Sequence, residues 1–526
     1  MARVLVAEKI ADIGVAKLRH AGHDVEVRTG MSPDELLEAV AGVHGLIIRS
    51  ATQVTAEVFD AGRELVIVGR AGVGLDNVDV DAATEHGVLV VNDTLSNIIS
   101  AAEHTMALIL AQARNIPQAH AALTDGRWER GRWEGIELSD KTLGILGLGR
   151  IGRLVAERAL GFAMRVIASD PYVSEEMALH SVMSLVSLEE LVAQSDFITI
   201  HVARTPETIG LINSELLELA KPNLRIVNVS RGGIVDEADL AEAVASGRIA
   251  GAALDVFDGE PITESPLFDL DSVVVTPHLG ASTEEAQSKA GDAIAEQVML
   301  ALGGEFVPAA VNVPAKNVPD VLRPYLPLAE QLGRLFGNLC ERLPEVLEVE
   351  LIGEIGKPDN TVAVMSVVKG LLSAVSDMQV SYVNALTMAE ERGMEVRAIS
   401  TPTSKDHVNL LTVRGGGHSL GGRLTGARQD PVLVLADDHA IHMPPAAHMI
   451  LLSNDDRPGV IGAVGTLLGS AGININDMNV GRAPTGEGAS MVIATPHPVP
   501  KEVADALVAI DGVQSARYMG LAPAQA

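Results

Sequence analysis

The chain is poor in cysteine, in aromatic side chains and in basic charge. Its 526 residues include one cysteine, Cys340, and aromatic residues make up 2% of the sequence. A single cysteine excludes an intrachain disulfide framework and any multi-thiolate metal site, which indicates a reducing compartment and no metal. Because hydrophobic residues still reach 47%, the cores must consist of Val, Ile, Leu and Ala, a composition typical of sheets covered by helices.

Long apolar runs and a cationic leader are also missing. No stretch of about 18 consecutive apolar residues occurs, and MARVLVAEKI lacks the pattern of a signal peptide. We therefore expect a cytoplasmic protein without a membrane partner. The net charge of −30 repels phosphate backbones, so nucleic acid is not an expected partner. The same field repels small anionic substrates, so a site for one requires clustered arginines.

The length predicts three or four domains of roughly 100–200 residues each. Val- and Ile-rich strands alternate with helical patterns in two series, the second from Thr142 to about Thr276. This rhythm predicts two doubly wound α/β units with parallel sheets. Five prolines between Pro308 and Pro327 predict a linker, and a mixed α/β segment follows. From His448 onward the order of strands and helices predicts a βαββαβ unit of ferredoxin-like type.

A long helix between the two series is expected to begin at Ser100. Ser100 and Glu103 have the spacing of a capping box, and the run AAEHTMALILAQAR follows. His104 lies on this helix, and we expect it to pack or to form hydrogen bonds rather than to act as a catalyst.

A dinucleotide-binding element is predicted after the strand TLGIL. It has the form G-x-G-x-x-G, opens the helix RLVAERAL, and is followed by a strand that ends in Asp170. Gly147 allows the tight turn, Gly149 lets the backbone approach a pyrophosphate, and Gly152 permits close helix packing. The acidic Asp170 favours NAD over NADP. The predicted residues of this cofactor site are Gly147, Gly149, Arg150, Ile151, Gly152 and Asp170.

Polar side chains follow three late strands of the second series. Arg231 follows RIVNVS, Glu260 follows GAALDV, and His278 follows VVVTP. Ligands of open parallel sheets bind beyond the carboxyl ends of the strands. Hydride transfer from a hydroxyacid needs a base, a cation for the carboxylate and a group that orients the base. We assign these roles to His278, Arg231 and Glu260, which we call the catalytic trio, and expect Asp255 to orient the cofactor. Each residue alone has a structural alternative, as an ion pair, a turn residue or a cap.

The segments GLGRIG, NVSRGGIVDE, LDVFDGEP and TPHLGAST resemble the signature segments of NAD-dependent D-2-hydroxyacid dehydrogenases, over residues 3 to 310. The resemblance implies the same catalytic trio and an α/β fold in which a Rossmann-type cofactor domain, 99–287, is inserted in a flavodoxin-like substrate domain, 1–98 and 288–310. The further cofactor contacts that it implies are Val229, Ser230, Arg231, Asp255, His278, Leu279, Gly280 and Ala281.

With a mixed α/β intervening domain, 317–446, and a ferredoxin-like domain of ACT type, 448–526, the chain is similar to long members of this family. Those members oxidise 3-phosphoglycerate at the start of serine synthesis. The resemblance implies a homotetramer and an L-serine effector at Asn454, Asp456 and Asn474; Asp456 has the alternative role of capping the next helix. The middle domain has a glycine-rich loop with Arg414, His418 and Arg423 that is a candidate anion site.

A substrate with a phosphate and a carboxylate needs local positive charge. The glycine loop at 69–77 is expected to bind an anion on the substrate side, and arginines near it or in an arm with Trp128 and Trp133 are candidates. A turn rich in arginine without a ligand is the alternative for the arm. The predicted substrate residues are Arg49, Arg70, Gly72, Val73, Gly74, Arg127 and Arg130, and Arg132 belongs to the same arm.

Two rival functions stay open from the sequence. One is a dehydrogenase or reductase of another 2-hydroxyacid, such as hydroxypyruvate or 2-hydroxyglutarate. The other is an NAD-sensing scaffold without turnover. The intact trio argues against the scaffold, and the relative kcat/KM across several acids separates the enzymes.

Overall fold

The structure is a computed structural model, which describes residues 1–173, 184–313, 318–340, 342–376, 378–403, 409–482 and 488–522. The first domain contains a parallel sheet. Its five strands have the order β2-β1-β3-β4-β5. This is the flavodoxin-like order, so that prediction is confirmed. The elements are β1 (Arg3–Val6), α1 (Asp12–His20), β2 (Asp24–Val27), α2 (Pro33–Ala39), β3 (Gly45–Ile48), α3 (Ala56–Ala61), β4 (Ile67–Arg70), α4 (Val80–Glu85) and β5 (Leu89–Asn92).

The second sheet has seven parallel strands in the order β12-β11-β10-β9-β6-β7-β8. Strands run outward on both sides of β6, which is the Rossmann-type arrangement, and a ligand crevice opens where the direction of winding reverses. Its strands are β6 (Thr142–Leu146), β7 (Arg165–Ser169), β8 (Ser184–Leu185), β9 (Phe197–Ile200), β10 (Arg225–Asn228), β11 (Gly251–Leu254) and β12 (Val273–Val275). The helices are α5 (Ile98–Arg114), α6 (Ile116–Thr124), α7 (Arg150–Gly161), α8 (Leu188–Gln194), α9 (Ser214–Leu217) and α10 (Glu237–Ala245).

The helix that was expected to begin at Ser100 begins earlier. Helix α5 starts at Ile98 with Asn97 at the N-cap position, so the predicted capping box is wrong. Ser100 is buried inside the first turn, where its hydroxyl lies 2.7 Å from the hydroxyl of Thr283. The spacing of Ser100 and Glu103 matched a cap, but a tertiary contact uses the serine instead.

Helix α11 (Glu284–Leu302) returns the chain to the first sheet. A Cβ built at Gly69 on β4 would lie 2.7 Å from Ile294 Cγ2, and one at Gly14 would lie 2.5 Å from the backbone oxygen of Gly291. Both glycines are therefore needed for close approach of the backbone. A 2.9 Å ion pair between Lys17 and Asp292 joins α1 to the same helix.

The intervening segment folds around two packed helices and a mixed sheet of order β14-β13-β15-β16-β17-β18. A Cβ at Gly333 would lie 1.9 Å from the backbone oxygen of Val367, so these helices require glycine at their crossing. Pro327 lies in the first turn of a helix, so the linker ends sooner than predicted. The elements are α12 (Tyr325–Leu339), β13 (Val346–Gly353), a 3₁₀ turn (Glu354–Gly356), α13 (Thr361–Val375), α14 (Ala385–Glu391), β14 (Glu395–Thr401), β15 (Asn409–Gly415), β16 (His418–Thr425), β17 (Asp430–Ala436) and β18 (His439–Met443).

The terminal sheet has four antiparallel strands in the order β20-β21-β19-β22. The chain order of strands and helices confirms the predicted βαββαβ unit. A Cβ at Gly481 would lie 2.3 Å from the backbone oxygen of Ala440, so β20 lies close against β18. The elements are β19 (His448–Asn454), α15 (Val460–Ser470), β20 (Asp477–Arg482), β21 (Ala489–Thr495), α16 (Lys501–Val508) and β22 (Val513–Tyr518).

The hydrophobic cores differ in how many domains they span. One core runs from a face of the first sheet through α11 and the intervening helices to strands of the terminal sheet. The cofactor domain has two separate cores, one on each face of its sheet. Among the described residues no helix is both long and apolar enough to cross a membrane.

Candidate active site

The glycine-rich turn after β6 has the geometry that dinucleotide binding requires. Gly147 has φ +94°, and a Cβ there would lie 2.7 Å from the backbone oxygen of His201. A Cβ at Gly152 would lie 2.2 Å from the backbone oxygen of Gly147. At Gly149 an added Cβ would meet no described atom within 4 Å. The first and third glycines are therefore needed by the fold, while the second leaves open space for a ligand.

Helix α7 begins at Arg150 with Gly149 as its N-cap, and Gly149 supplies no side-chain cap. Its first N–H groups and the positive end of its dipole are therefore available to an anion such as a pyrophosphate. Asp170 follows β7, and its Oδ2 accepts a hydrogen bond from the Leu148 amide at 2.8 Å. The carboxylate thus lies beside the turn, as expected for a ribose partner, and these residues fit NAD.

His278 and Glu260 form a close pair beyond the ends of β12 and β11. His278 Nδ1 lies 2.5 Å from Glu260 Oε2, and Glu260 Oε1 accepts from the Phe257 amide at 2.9 Å. Burial alone would raise the pKa of Glu260, but the hydrogen bonds from His278 and Phe257 lower it overall. The carboxylate therefore stays ionised and can fix the tautomer of the imidazole.

Asp255 organises the loop that carries His278. Its buried carboxylate accepts hydrogen bonds from the amides of Leu279 at 2.7 Å and Gly280 at 2.8 Å, and from Thr276 Oγ1 at 2.6 Å. His104 Nε2 lies 3.2 Å from the same carboxylate, the hydrogen-bonding role expected for it. Burial acts to raise the pKa of Asp255, but these donors lower it.

The backbone of His278 has φ +53°, which is uncommon for a residue other than glycine. Its amide donates to the Asp255 carbonyl at 2.8 Å, which helps to hold this conformation. The loop therefore presents the imidazole in a fixed direction. Such backbone strain is common at functional sites.

Arg231 lies between the two domains, half-buried. Its Nη2 is 2.5 Å from the position of a Cβ at Gly74, and its Nε is 3.5 Å from Asp76 Oδ2. The glycine loop after β4 therefore lies against Arg231, which the sequence predicts to be catalytic. One cleft of about 360 Å³ is lined by Val73, Gly74, Arg231 and His278 together with Val229, Ser230, Gly280 and Ala281.

Cations gather on the substrate side of this cleft. The pKa of Arg70 is lowered to about 10, mainly by burial and next by the positive charge of Arg231. The charge of Arg49 also lowers this pKa. Arg70 also lies against Gly72, where an added Cβ would be 2.5 Å from its Nη1. Three guanidinium groups that repel one another occur together, which indicates a site for an anion.

The arm around Trp128 does not reach the cleft of its own chain through any described contact. Arg127 pairs with Asp125 and with Glu129, and Arg132 pairs with Asp271. Arg130 is exposed. The assignment of Arg127 and Arg130 to the substrate therefore stays a prediction that needs a neighbouring chain.

The predicted effector residues lie in the terminal domain. Asn454 is buried, its Oδ1 accepts from the Asp456 amide at 3.0 Å, and its Nδ2 has no hydrogen-bond partner among the described residues. Asp456 is exposed and has φ +52°. Asn474 is exposed on the loop before β20. A buried donor without a partner is rare, so a ligand that accepts from Asn454 would complete the site.

The glycine-rich loop of the intervening domain is the hairpin between β15 and β16. Arg414 Nη1 lies 2.6 Å from Asp438 Oδ1, and His418 Nδ1 lies 3.0 Å from Asp437 Oδ2. Two of the three side chains that were considered for an anion, Arg414 and His418, therefore already pair with carboxylates of the same domain.

Sequence reasoning missed several residues that line the cleft or support residues lining it. Asn228 is buried and joins Ser230 to the carbonyl of Arg231. His201 lines the cleft, and burial lowers its pKa to about 3, so it is neutral there. Asn97 lines it too, and its buried Oδ1 has no hydrogen-bond partner in the described parts of the chain. A polar residue that ends an apolar strand was the available signal for Asn228.

Fold and site together define an NAD-dependent dehydrogenase of D-2-hydroxyacids. Residues 106–280 match the model of the D-isomer specific 2-hydroxyacid dehydrogenase NAD binding domain. Residues 321–426 match the D-3-phosphoglycerate dehydrogenase intervening domain, and residues 448–512 match the ACT domain.

Relatives match along almost the whole chain. The D-3-phosphoglycerate dehydrogenase of Mycobacterium tuberculosis is 46% identical over 513 residues, which is 96% of this chain and 97% of the relative. That of Methanocaldococcus jannaschii is 40% identical over 99% of this chain and 100% of its own length. The chain therefore belongs to the D-3-phosphoglycerate dehydrogenase family.

Solved structures match over more than half of the chain. The apo-structure of D-lactate dehydrogenase from Escherichia coli aligns with a TM-score of 0.54 at 25% identity, covering 59% of this chain and all of that one. A glyoxylate reductase from Paecilomyes thermophila aligns with a TM-score of 0.53 at 27% identity, covering 59% of this chain and 98% of that one.

Proposed function

We propose that the chain oxidises 3-phospho-D-glycerate at C2 with NAD and produces 3-phosphohydroxypyruvate, the first step of L-serine biosynthesis. The observation that carries this proposal is the joining of Arg231, His278 and the glycine loop of the substrate domain in one cleft. The names of the relatives that match along the whole chain support the substrate.

Each member of the catalytic trio has a role that its contacts support. His278 accepts the proton of the C2 hydroxyl, and Glu260 holds the imidazole in the tautomer that can accept it. Arg231 binds the carboxylate through its planar guanidinium. NAD, when bound, accepts the hydride from C2. Asp255 orients the loop of His278, and contact between Asp255 Oδ2 and the nicotinamide stays our hypothesis.

We propose that two arginines of the arm around Trp128, Arg127 and Arg130, act in an oligomer. Large apolar side chains are between 51% and 81% exposed along one segment, at Leu95, Ile99, Ile116, Leu123 and Trp128. Exposed apolar surface of this extent supports self-association, and we propose a homotetramer. Arg127 and Arg130 would then approach the substrate of a neighbouring copy.

The terminal domain is proposed to bind L-serine and to inhibit the enzyme. The unpaired Nδ2 of Asn454 would donate to the serine carboxylate or hydroxyl, and Asp456 would bind the amino group. Asn474 completes the proposed set. We also retain the cytoplasm as the compartment and the predicted limits of the four domains.

An absorbance assay of NADH formation tests the function. We expect kcat/KM for 3-phosphoglycerate to exceed that for 2-hydroxyglutarate and for glycerate. A higher value for one of the other acids would assign the enzyme to that acid. Binding of NAD without any NADH formation would instead support a sensing scaffold.

A further inference from the structure

The carboxylate of Asp76 lies in the active-site cleft beside the guanidinium group of Arg231. Asp76 belongs to the loop after β4 and lines the cleft together with Arg231 and His278. Its Oδ2 lies 3.5 Å from Arg231 Nε, and among the described residues no other carboxylate lies within 4.0 Å of this side chain. Arg231 Nη1 donates to the carbonyl of Ser230 at 2.8 Å. A carboxylate of the substrate domain is therefore the ion-pair partner of an arginine of the cofactor domain.

Asp76 also acts on a second cation of the cleft. Burial lowers the pKa of Arg70 most, the charge of Arg231 lowers it further, and the charge of Asp76 opposes both. Two guanidinium groups that repel each other are less unfavourable when a carboxylate lies near both. Asp76 therefore offsets part of the repulsion between Arg70 and Arg231.

The backbone next to Asp76 is fixed, whereas its side chain is exposed. Asn77 is buried, and its Nδ2 donates to the carbonyls of Arg49 at 2.8 Å and Thr52 at 2.6 Å. The Val54 amide donates to the Asn77 carbonyl at 2.8 Å. The side chain of Asp76 is 65% exposed. The loop is thus held in place while the carboxylate is able to rotate into solvent.

Building on the proposed function, we propose that Asp76 is the counterion of Arg231 in the free enzyme and competes with the C1 carboxylate of the substrate for this guanidinium. A largely exposed ion pair contributes little, so a substrate carboxylate that binds the planar guanidinium through both oxygens displaces it. The competition weakens the binding of any 2-hydroxyacid without involving its C2 hydroxyl. Asp76 therefore raises KM and takes no part in hydride or proton transfer.

The test removes the charge and keeps the shape of the side chain. NADH formation from 3-phosphoglycerate is measured for the wild type and Asp76→Asn. We expect KM for the acid to fall about 2- to 10-fold, because a like charge a few ångströms from the bound carboxylate is lost. The kcat and the KM for NAD should change by less than about twofold. Damage to the fold would raise KM or lower kcat, so a fall in KM alone reports the competition.

Matched variants separate the local charge from the net charge. Asp76→Glu keeps the carboxylate, so its KM should stay near that of the wild type. Asp24→Asn, on the exposed edge strand β2 of the same domain, removes the same charge and should leave KM unchanged. An unchanged or higher KM in Asp76→Asn, or an equal fall in Asp24→Asn, would overturn the role of Asp76.

Failure of the proposed function gives a different result. A wild type that forms no NADH from 3-phosphoglycerate would refute the function. The dissociation constant of glycerate, measured by calorimetry on the same proteins, then tests Asp76 by the same criterion, since glycerate carries the same C1 carboxylate. A constant that does not fall in Asp76→Asn would overturn the competition.

Discussion

The two sides of the active-site cleft are built differently. On the cofactor side, His278, Glu260 and Asp255 form a continuous set of hydrogen bonds with their own loops. On the substrate side, Arg70, Arg231 and Arg49 are guanidinium groups that repel one another. The predicted catalytic groups are therefore oriented before any ligand arrives, whereas the repelling guanidinium groups would be stabilised by the charge of a bound anion.

Removal of the imidazole should have the largest effect. His278→Asn is expected to lower kcat by about 10²- to 10⁴-fold, because a positioned acid–base contributes that much. NADH formation measures kcat, and NAD binding followed by fluorescence should be nearly unchanged. A variant that keeps most of its kcat would remove His278 from the chemistry.

Loss of a hydrogen-bonded carboxylate on the cofactor side of the cleft should lower the stability of the protein. Asp255→Asn is expected to lower the free energy of unfolding by about 1–3 kcal/mol, since buried donors lose a charged acceptor. Denaturant unfolding monitored by circular dichroism measures this loss. Asp269→Asn, an exposed carboxylate in the same domain, serves as the control.

The same variant should show a pH dependence of known sign. The folded pKa of Asp255 lies below its ordinary value. Its stabilising contribution is therefore complete above the unfolded pKa of about 4 and is lost as pH falls through the lowered folded value. The difference between wild type and Asp255→Asn should thus be larger at neutral than at acidic pH. A difference that does not change with pH would refute the ionic role.

The open glycine of the dinucleotide turn should affect binding and not folding. Gly149→Ala is expected to raise the dissociation constant of NAD by about tenfold, equivalent to about 1.4 kcal/mol. The reason is that the new methyl group would contact the bound cofactor and no described protein atom. Gly152→Ala should instead impair folding, since its Cβ would lie 2.2 Å from a backbone oxygen. Calorimetric titration with NAD distinguishes the two, and equal behaviour would contradict the assignment.

The smallest effect is expected in the terminal domain, far from the trio. Asn454→Ala should raise the inhibition constant for L-serine about 2- to 10-fold, as for one neutral hydrogen bond, with basal activity unchanged. Inhibition curves for the two proteins provide the measurement. If serine does not inhibit the wild type, the effector proposal fails.

Much of the fold was predictable because alternating patterns and glycines act locally. The strand TLGIL and the positive φ of Gly147 are local features of the backbone, so the sequence pattern predicted them. The start of α5 was missed because Ser100 bonds Thr283, which lies far along the chain. Asn97 was missed for a similar reason, since it becomes part of the cleft only when the two domains meet.

The most direct test of the catalytic trio is a double-mutant cycle on His278 and Glu260. If Glu260 acts only by orienting the imidazole, His278→Asn and the double variant with Glu260→Gln should have the same kcat. The single Glu260→Gln variant should lose less than either. Losses that add in the double variant would show that Glu260 acts independently of His278, which would contradict the account.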